Sequence, residues 1–292
     1  RSVIAITAYR PLVLRRISLT PCRFRAHRLL RVLQAATSRA DHLSALRLRF
    51  RKTKRGGQVF WPLKSRDPPW PAEGDDMPDV ILTGASGRIE GRYSPGKTET
   101  APIALILHPH PKAGGHMNHP VSVQLYHLFM KRGFATLRFN FRGVGRSQGE
   151  FDAGIGELAD AATALDWLQT SNPAASQTWV AGFDFGAYIG MQLLMRRPET
   201  DGFISVSPPT NMYDFSFLAP CPASGLFLTG SADTITPPVE VERVVTKLRT
   251  QKGITIDYEV IDKASHFWTE HLPSVEKSVS DYLDKRLAEN PI

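Results

Sequence analysis

The chain has 292 residues, of which 42% are hydrophobic and 22% charged, and its formal net charge is +8. These proportions belong to a soluble globular protein with room for one large domain or two small ones. They exclude a membrane-spanning chain, because no run approaches about 18 uninterrupted apolar residues. Two cysteines, Cys22 and Cys221, sit far apart in sequence. That spacing supports neither a disulfide framework nor a CxxC metal knuckle, and a reducing, cytoplasmic setting is expected.

The charge is unevenly spread. Residues 1–76 carry 17 Lys/Arg against 5 Asp/Glu, a net of +12, and the remainder carries 19 against 23, a net of −4. The main domain therefore has no electrostatic reason to seek nucleic acid. The first quarter holds the basic run 47–55 and ends in the Pro-rich stretch Asp67-Pro68-Pro69-Trp70-Pro71, which reads as an extended linker. The first methionine is Met77. The expectation for residues 1–76 is a basic leader without a native fold. A transit-type segment and an arm for nucleic acid or a membrane surface are the alternatives. Residues 77–292 are expected to form the working domain.

From Met77 onward strands and helices alternate. Short strands are predicted at 80–83 and 89–93, and the run Ile103-Ala104-Leu105-Ile106-Leu107 is apolar on both faces, as in a buried parallel strand. A helix follows with Val121, Leu125, Leu128 and Phe129 at helical spacing, then a strand at 135–139 and a helix at 155–169. Next come a strand at 178–181, a helix at 186–196, strands at 203–206 and 226–228, a helix at 238–250, a strand at 255–260 and a helix at 273–288. Helices of this length between strands imply right-handed crossovers. The fold class is α/β, a mainly parallel sheet of about 7–8 strands with helices on both faces. Reactive groups in such sheets gather outside the carboxyl ends of the strands.

Three segments at those ends carry the chemistry. Gly182-Phe183-Asp184-Phe185-Gly186 has the pattern Gly-x-nucleophile-x-Gly between a strand and a helix. The glycines permit a sharp turn that exposes the central side chain, and the Phe185 amide supplies one donor for an oxyanion. Asp233 follows the strand at 226–228, and His266 follows the strand at 255–260. In the order elbow, acid, histidine, Asp233 orients His266 and His266 faces residue 184. The expected catalytic set is Asp184, Asp233 and His266.

This arrangement resembles the α/β-hydrolase superfamily over residues 79–288, in particular small bacterial hydrolases without a cap domain that are related to dienelactone hydrolase. The matching stretches are His108-Pro109-His110-Pro111 with Gly114, Gly115 and Asn118, the segment 138–147, the elbow, Asp233, and His266-Phe267. The resemblance implies a second oxyanion amide in the loop after 103–107. Pro109 and Pro111 have no N–H, which leaves His110 or Lys112. Arg142, in a Gly-rich loop, reads either as a substrate contact or as part of a solvated turn, and Tyr188 is a further substrate-side candidate. Histidines 108, 110, 116 and 119 match no common zinc spacing, so no metal and no cofactor are expected. The expected partner is a small-molecule substrate, with no membrane partner and a homo-oligomer as an open possibility.

One position departs from the family. Its elbow carries Ser, or sometimes Cys, whereas this chain has Asp184. A carboxylate that attacks an ester carbonyl forms an anhydride, and the carboxylate is then the better leaving group, so the intermediate collapses backward. At a saturated carbon a carboxylate is competent, as in dehalogenase- or epoxide-hydrolase-type displacement. Only about 14 residues separate Val206 from Cys221, too few for the cap that those enzymes carry. The readings that remain are a hydrolase of a small ester-like or related substrate, an Asp-nucleophile displacement enzyme, and a catalytically impaired binding protein on a hydrolase scaffold. If residues 1–76 are a dispensable leader, a chain that starts at Met77 keeps the full chain's melting temperature. A large drop measured by thermal unfolding contradicts that reading.

Overall fold

The computed structural model describes residues 79–289. The expectations for the basic leader and its Pro-rich linker lie outside the described residues. Among the described residues there are eight strands: β1 (Asp79–Gly84), β2 (Gly87–Ser94), β3 (Ile103–Leu107), β4 (Ala135–Phe139), β5 (Thr178–Phe183), β6 (Gly202–Val206), β7 (Ser224–Gly230) and β8 (Ile256–Ile261). Among the described residues five α-helices alternate with them: α1 (Pro120–Lys131), α2 (Ile155–Ser171), α3 (Phe185–Leu194), α4 (Pro238–Leu248) and α5 (Leu272–Glu289). The strands form one sheet in the order β1-β2-β4-β3-β5-β6-β7-β8. β1 and β2 form an antiparallel hairpin, β2 runs antiparallel to β4, and every other pairing is parallel.

Alternation along the buried strands sorts the core into two layers. Ala104 and Ile106 face the side covered by α1 and α5, where Val121, Leu125, Val275 and Val279 pack. Ile103, Leu105 and Leu107 face the other side, against Leu158, Leu165 and Ile189 of α2 and α3. α4 completes that second layer by packing Val241 and Val245 on Phe203 and Phe227. Since β3 lies mid-sheet between β4 and β5, both of its faces are covered, and that explains its unbroken apolar run. Between β6 and β7 the chain makes only a short 3₁₀ turn at Ser216–Leu218, so no helical cap is inserted there.

Arg142 follows β4 and turns into the domain. Its guanidinium makes paired bonds to Asp160 of α2 (Nε–Oδ2 2.9 Å, Nη2–Oδ1 2.8 Å), and its amide donates to the same Oδ2 at 3.0 Å. The hydrogen bond to Asp160 also lifts the Arg142 pKa further above its ordinary value. This corrects the substrate-contact expectation: the buried Asp160 carboxylate needs a cation, and Arg142 satisfies it while fixing the loop after β4. Removing one member of such a buried pair strands the other charge. Asp160→Asn is therefore expected to lose about 3 kcal/mol or more in urea unfolding. A loss below about 1 kcal/mol would show that water reaches Arg142.

Candidate active site

The elbow is built by close packing. A methyl group placed on Gly182 would meet the Gly186 carbonyl carbon at 2.5 Å, and one on Gly186 would meet the Leu107 oxygen at 2.4 Å. Glycine at both positions lets α3 start directly beside the end of β3. The turn forces Asp184 to φ 52° and ψ −122°, a region non-glycine residues rarely occupy. Such a residue stores about 1–3 kcal/mol and persists only where its surroundings hold it. Here the Asp184 amide donates to the Val206 oxygen (3.0 Å), while its carbonyl receives the Ala187 and Tyr188 amides and so opens α3.

The strained turn sets the Asp184 carboxylate between two partners. Its Oδ2 accepts the His110 backbone N–H at 3.1 Å. Its Oδ1 lies 3.8 Å from His266 Nε2, an ion-pair distance if the imidazole is protonated and too long for a hydrogen bond. On the far side of the ring, His266 Nδ1 is 2.9 Å from Asp233 Oδ2. That carboxylate fixes the proton on Nδ1 and turns the Nε2 lone pair toward Asp184. The three predicted residues therefore converge, with the imidazole between two carboxylates.

Asp233 is buried and well supplied with donors. Oδ1 accepts the Ile235 and Thr236 amides at 3.0 and 2.8 Å, and Oδ2 accepts the Thr236 hydroxyl at 2.7 Å. Burial pushes its pKa up, but the His266 hydrogen bond and charge and the Thr236 donors outweigh this and hold the carboxyl below its usual range. Thr236 is a residue the sequence reading missed. Its only trace in the sequence is an Asp followed three positions later by Thr, a common capping pattern.

The oxyanion candidates separate. The His110 amide meets Asp184, while the Lys112 amide donates to His110 Nδ1 at 3.0 Å, and that removes Lys112 from the role. Lys112 instead lays its ammonium 5.7 Å from the centre of the Phe151 ring. Phe185 is the first residue of α3, where an amide has no partner within the helix. Tyr188 is half-buried, one turn along α3, and stacks on Tyr213 with ring centres 4.3 Å apart. Tyr213 is reached by the Asp184 charge: burial first, then that carboxylate, raises its phenol pKa.

The other histidines serve the loops. His108 Nε2 accepts the Phe141 amide (3.0 Å), so its Nδ1 carries the proton and donates to the Pro109 oxygen (2.7 Å). His119 Nδ1 accepts the Val121 amide at the start of α1 and its ring stacks on Phe183. Burial drives both to a pKa of about 3, so they are neutral. His116 Nδ1 accepts the Asn118 amide at 3.2 Å. Among the described residues no three His, Cys, Asp or Glu side chains are grouped to hold a metal ion, and no helix is long and apolar enough to cross a membrane.

The sign of the Asp233 effect gives a test. A carboxyl whose folded pKa is depressed stabilises the protein above its unfolded value and loses that contribution as pH falls through the folded value. The stability gap between wild type and Asp233→Asn in urea is expected to be full near neutrality and to shrink below about pH 4. A gap that stays constant down to acid unfolding contradicts this.

Comparison with known proteins agrees with the fold. The X-Pro dipeptidyl-peptidase (S15) family model matches residues 91–285. An uncharacterised protein of Rickettsia prowazekii is 49% identical over 71% of this chain and 89% of its own length. A crystal structure of an Agrobacterium tumefaciens protein of unknown function, described as an α/β-hydrolase candidate, is 57% identical. It covers 73% of this chain and 98% of that one, with a TM-score of 0.72. An α/β serine hydrolase homologue from Coxiella burnetii is 31% identical over 70% of this chain and 97% of that one, with a TM-score of 0.64. The chain belongs to the α/β-hydrolase superfamily, in the group that the X-Pro dipeptidyl-peptidase (S15) family model describes.

Proposed function

We propose that the chain is a hydrolase of a small organic substrate, worked by Asp184, His266 and Asp233, in which Asp184 takes the substrate as a covalent ester. One observation supports this most directly: Asp184 Oδ2 holds the His110 N–H while Oδ1 stands free of that bond on the His266 side. The oxygen facing His266 is the attacking atom. It displaces a leaving group from a saturated carbon, whose bonding pair departs with that group, and an alkyl ester of Asp184 forms. The ester carbonyl is then Oδ2, already at an oxyanion donor.

His266 Nε2 next takes a proton from water, and the hydroxide attacks Cγ of Asp184. Negative charge develops on Oδ2, where the His110 N–H stabilises it and the Phe185 amide at the head of α3 can join it. Collapse releases the alcohol, which takes the proton from His266. The carboxyl left on Asp184 ionises to regenerate the site. Asp233 stabilises the imidazolium that exists between these steps.

A second reading, hydrolysis of a small ester with water as the nucleophile, is favoured by the likeness to the Coxiella serine hydrolase homologue. Against it, the position that a tetrahedral ester intermediate needs for its oxyanion holds Asp184 Oδ2. Asp184→Ser vacates that position and restores a hydroxyl beside His266. The expected outcome is a wild type inert toward short p-nitrophenyl esters and an Asp184→Ser variant that turns them over. Wild-type turnover that survives Asp184→Ala would move the reaction centre elsewhere. In parallel, His266→Ala incubated with haloalkanes and epoxides is expected to trap an adduct on Asp184, read by mass spectrometry. If no adduct forms and the serine variant is also inert, the Asp184–His266 pair is a binding site only.

A further inference from the structure

Three exposed apolar side chains lie next to the site in the chain. Ile155, Met212 and Phe267 are 78%, 53% and 37% exposed. Each adjoins a residue of the site region. Ile155 follows Gly154, where an added methyl would lie 3.6 Å from Tyr188 Cε1. Met212 precedes Tyr213, and Phe267 follows His266, with ring centres 5.7 Å apart. They come from the chain after β4, β6 and β8, so they ring one end of the sheet.

Near them runs a continuous row of aromatic rings, an aromatic wall. Phe151 lies 5.0 Å from the His110 ring, and both lie beside Phe185, at 5.8 and 4.9 Å. Phe185 in turn meets Tyr213 at 6.0 Å, and Tyr213 stacks on Tyr188. The wall thus spans from the residue whose amide holds Asp184 Oδ2 to the tyrosine that feels the Asp184 charge. Phe151, Tyr188 and Tyr213 remain half-exposed, leaving ring faces available.

Resting on the reading of Asp184 as the reacting group, we propose that this wall seats an uncharged aryl or comparably flat apolar group of the substrate, next to the bond that is broken. Charge decides against the ionic alternatives. Lys112 stands over Phe151, and the Asp184 carboxylate stands beside His110, whose ring neighbours Phe151. An anion next to the bond that is broken meets the Asp184 carboxylate and a cation over Phe151 meets Lys112, whereas a neutral ring meets π faces and displaces water from them.

Binding tests this without turnover. Benzyl alcohol titrated into the full chain and followed by ligand-observed NMR is expected to bind more tightly than glycerol. Phe151→Ala and Tyr213→Ala are each expected to raise its Kd about three- to tenfold. Tyr213→Phe keeps the ring and is expected to leave Kd unchanged, as is Ile81→Ala on the outer strand β1. Equal binding of the two alcohols, or a Tyr213→Ala variant with wild-type Kd and a wild-type melting curve, overturns the wall. Because the readout is binding, a wall confirmed in this way stands even if Asp184 forms no adduct. Conversely, an adduct with no aryl preference leaves the chemistry and removes the wall.

Discussion

The contact on which the site depends is that between Gly186 and the end of β3. With no side chain at 186, α3 begins against the Leu107 and His108 carbonyls, and the chain turns at Asp184 with positive φ. Any larger residue would push the helix from the sheet and move the carboxylate off the line between His110 and His266. The parallel pairing of β3, β5 and β6 holds this turn in place, since the Asp184 amide is tied to the end of β6. The rest of the domain supplies the rigidity that keeps a strained residue strained.

Charge is the second constraint. Several carboxylates lie at or just behind the carboxyl ends, and the fold deals with each by donors. Asp233 is held by Thr236 and His266, and Asp160 by Arg142. Glu157, fully buried, takes the Asp152 and Gly154 amides at 2.8 and 2.7 Å at the head of α2. Glu90 takes the Arg146 amide and guanidinium and the Asn140 amide group. The last three brace the Gly-rich loop that follows β4. Asp184 differs in having one backbone donor on one oxygen and an imidazole edge near the other. That lighter hold is the electrostatic argument for the reacting role proposed for it.

In the reading proposed for Asp184, the departure from a serine elbow is a change of chemistry on the same frame. A serine needs His266 to remove its proton before it attacks, whereas a carboxylate does not, and the histidine is free to work on water. The same Asp233–His266 pair serves either nucleophile, because its task is to hold one tautomer and bear transient positive charge.

The strand and helix order was legible in sequence because buried parallel strands are apolar on both faces and glycine marks the turns. The lengths of β3 and β4 came out as read, and the elbow, Asp233 and His266 were found because motif order and position after a strand are linear features. Tertiary structure decided what depends on direction. Arg142 looked like a substrate contact, but its guanidinium turns inward because Asp160, 18 positions later on α2, is buried beneath it. His110 rather than Lys112 presents its amide, because the loop folds the Lys112 N–H back onto the His110 ring. The aromatic wall was hidden as well: Phe151, Phe185 and Tyr213 are scattered over 63 positions and meet only because β4, β5 and β6 end on the same side of one sheet. Periodicity and motifs record which backbone element a residue occupies. Which way a side chain points out of a loop depends on partners distant in sequence, and only the folded chain brings those together.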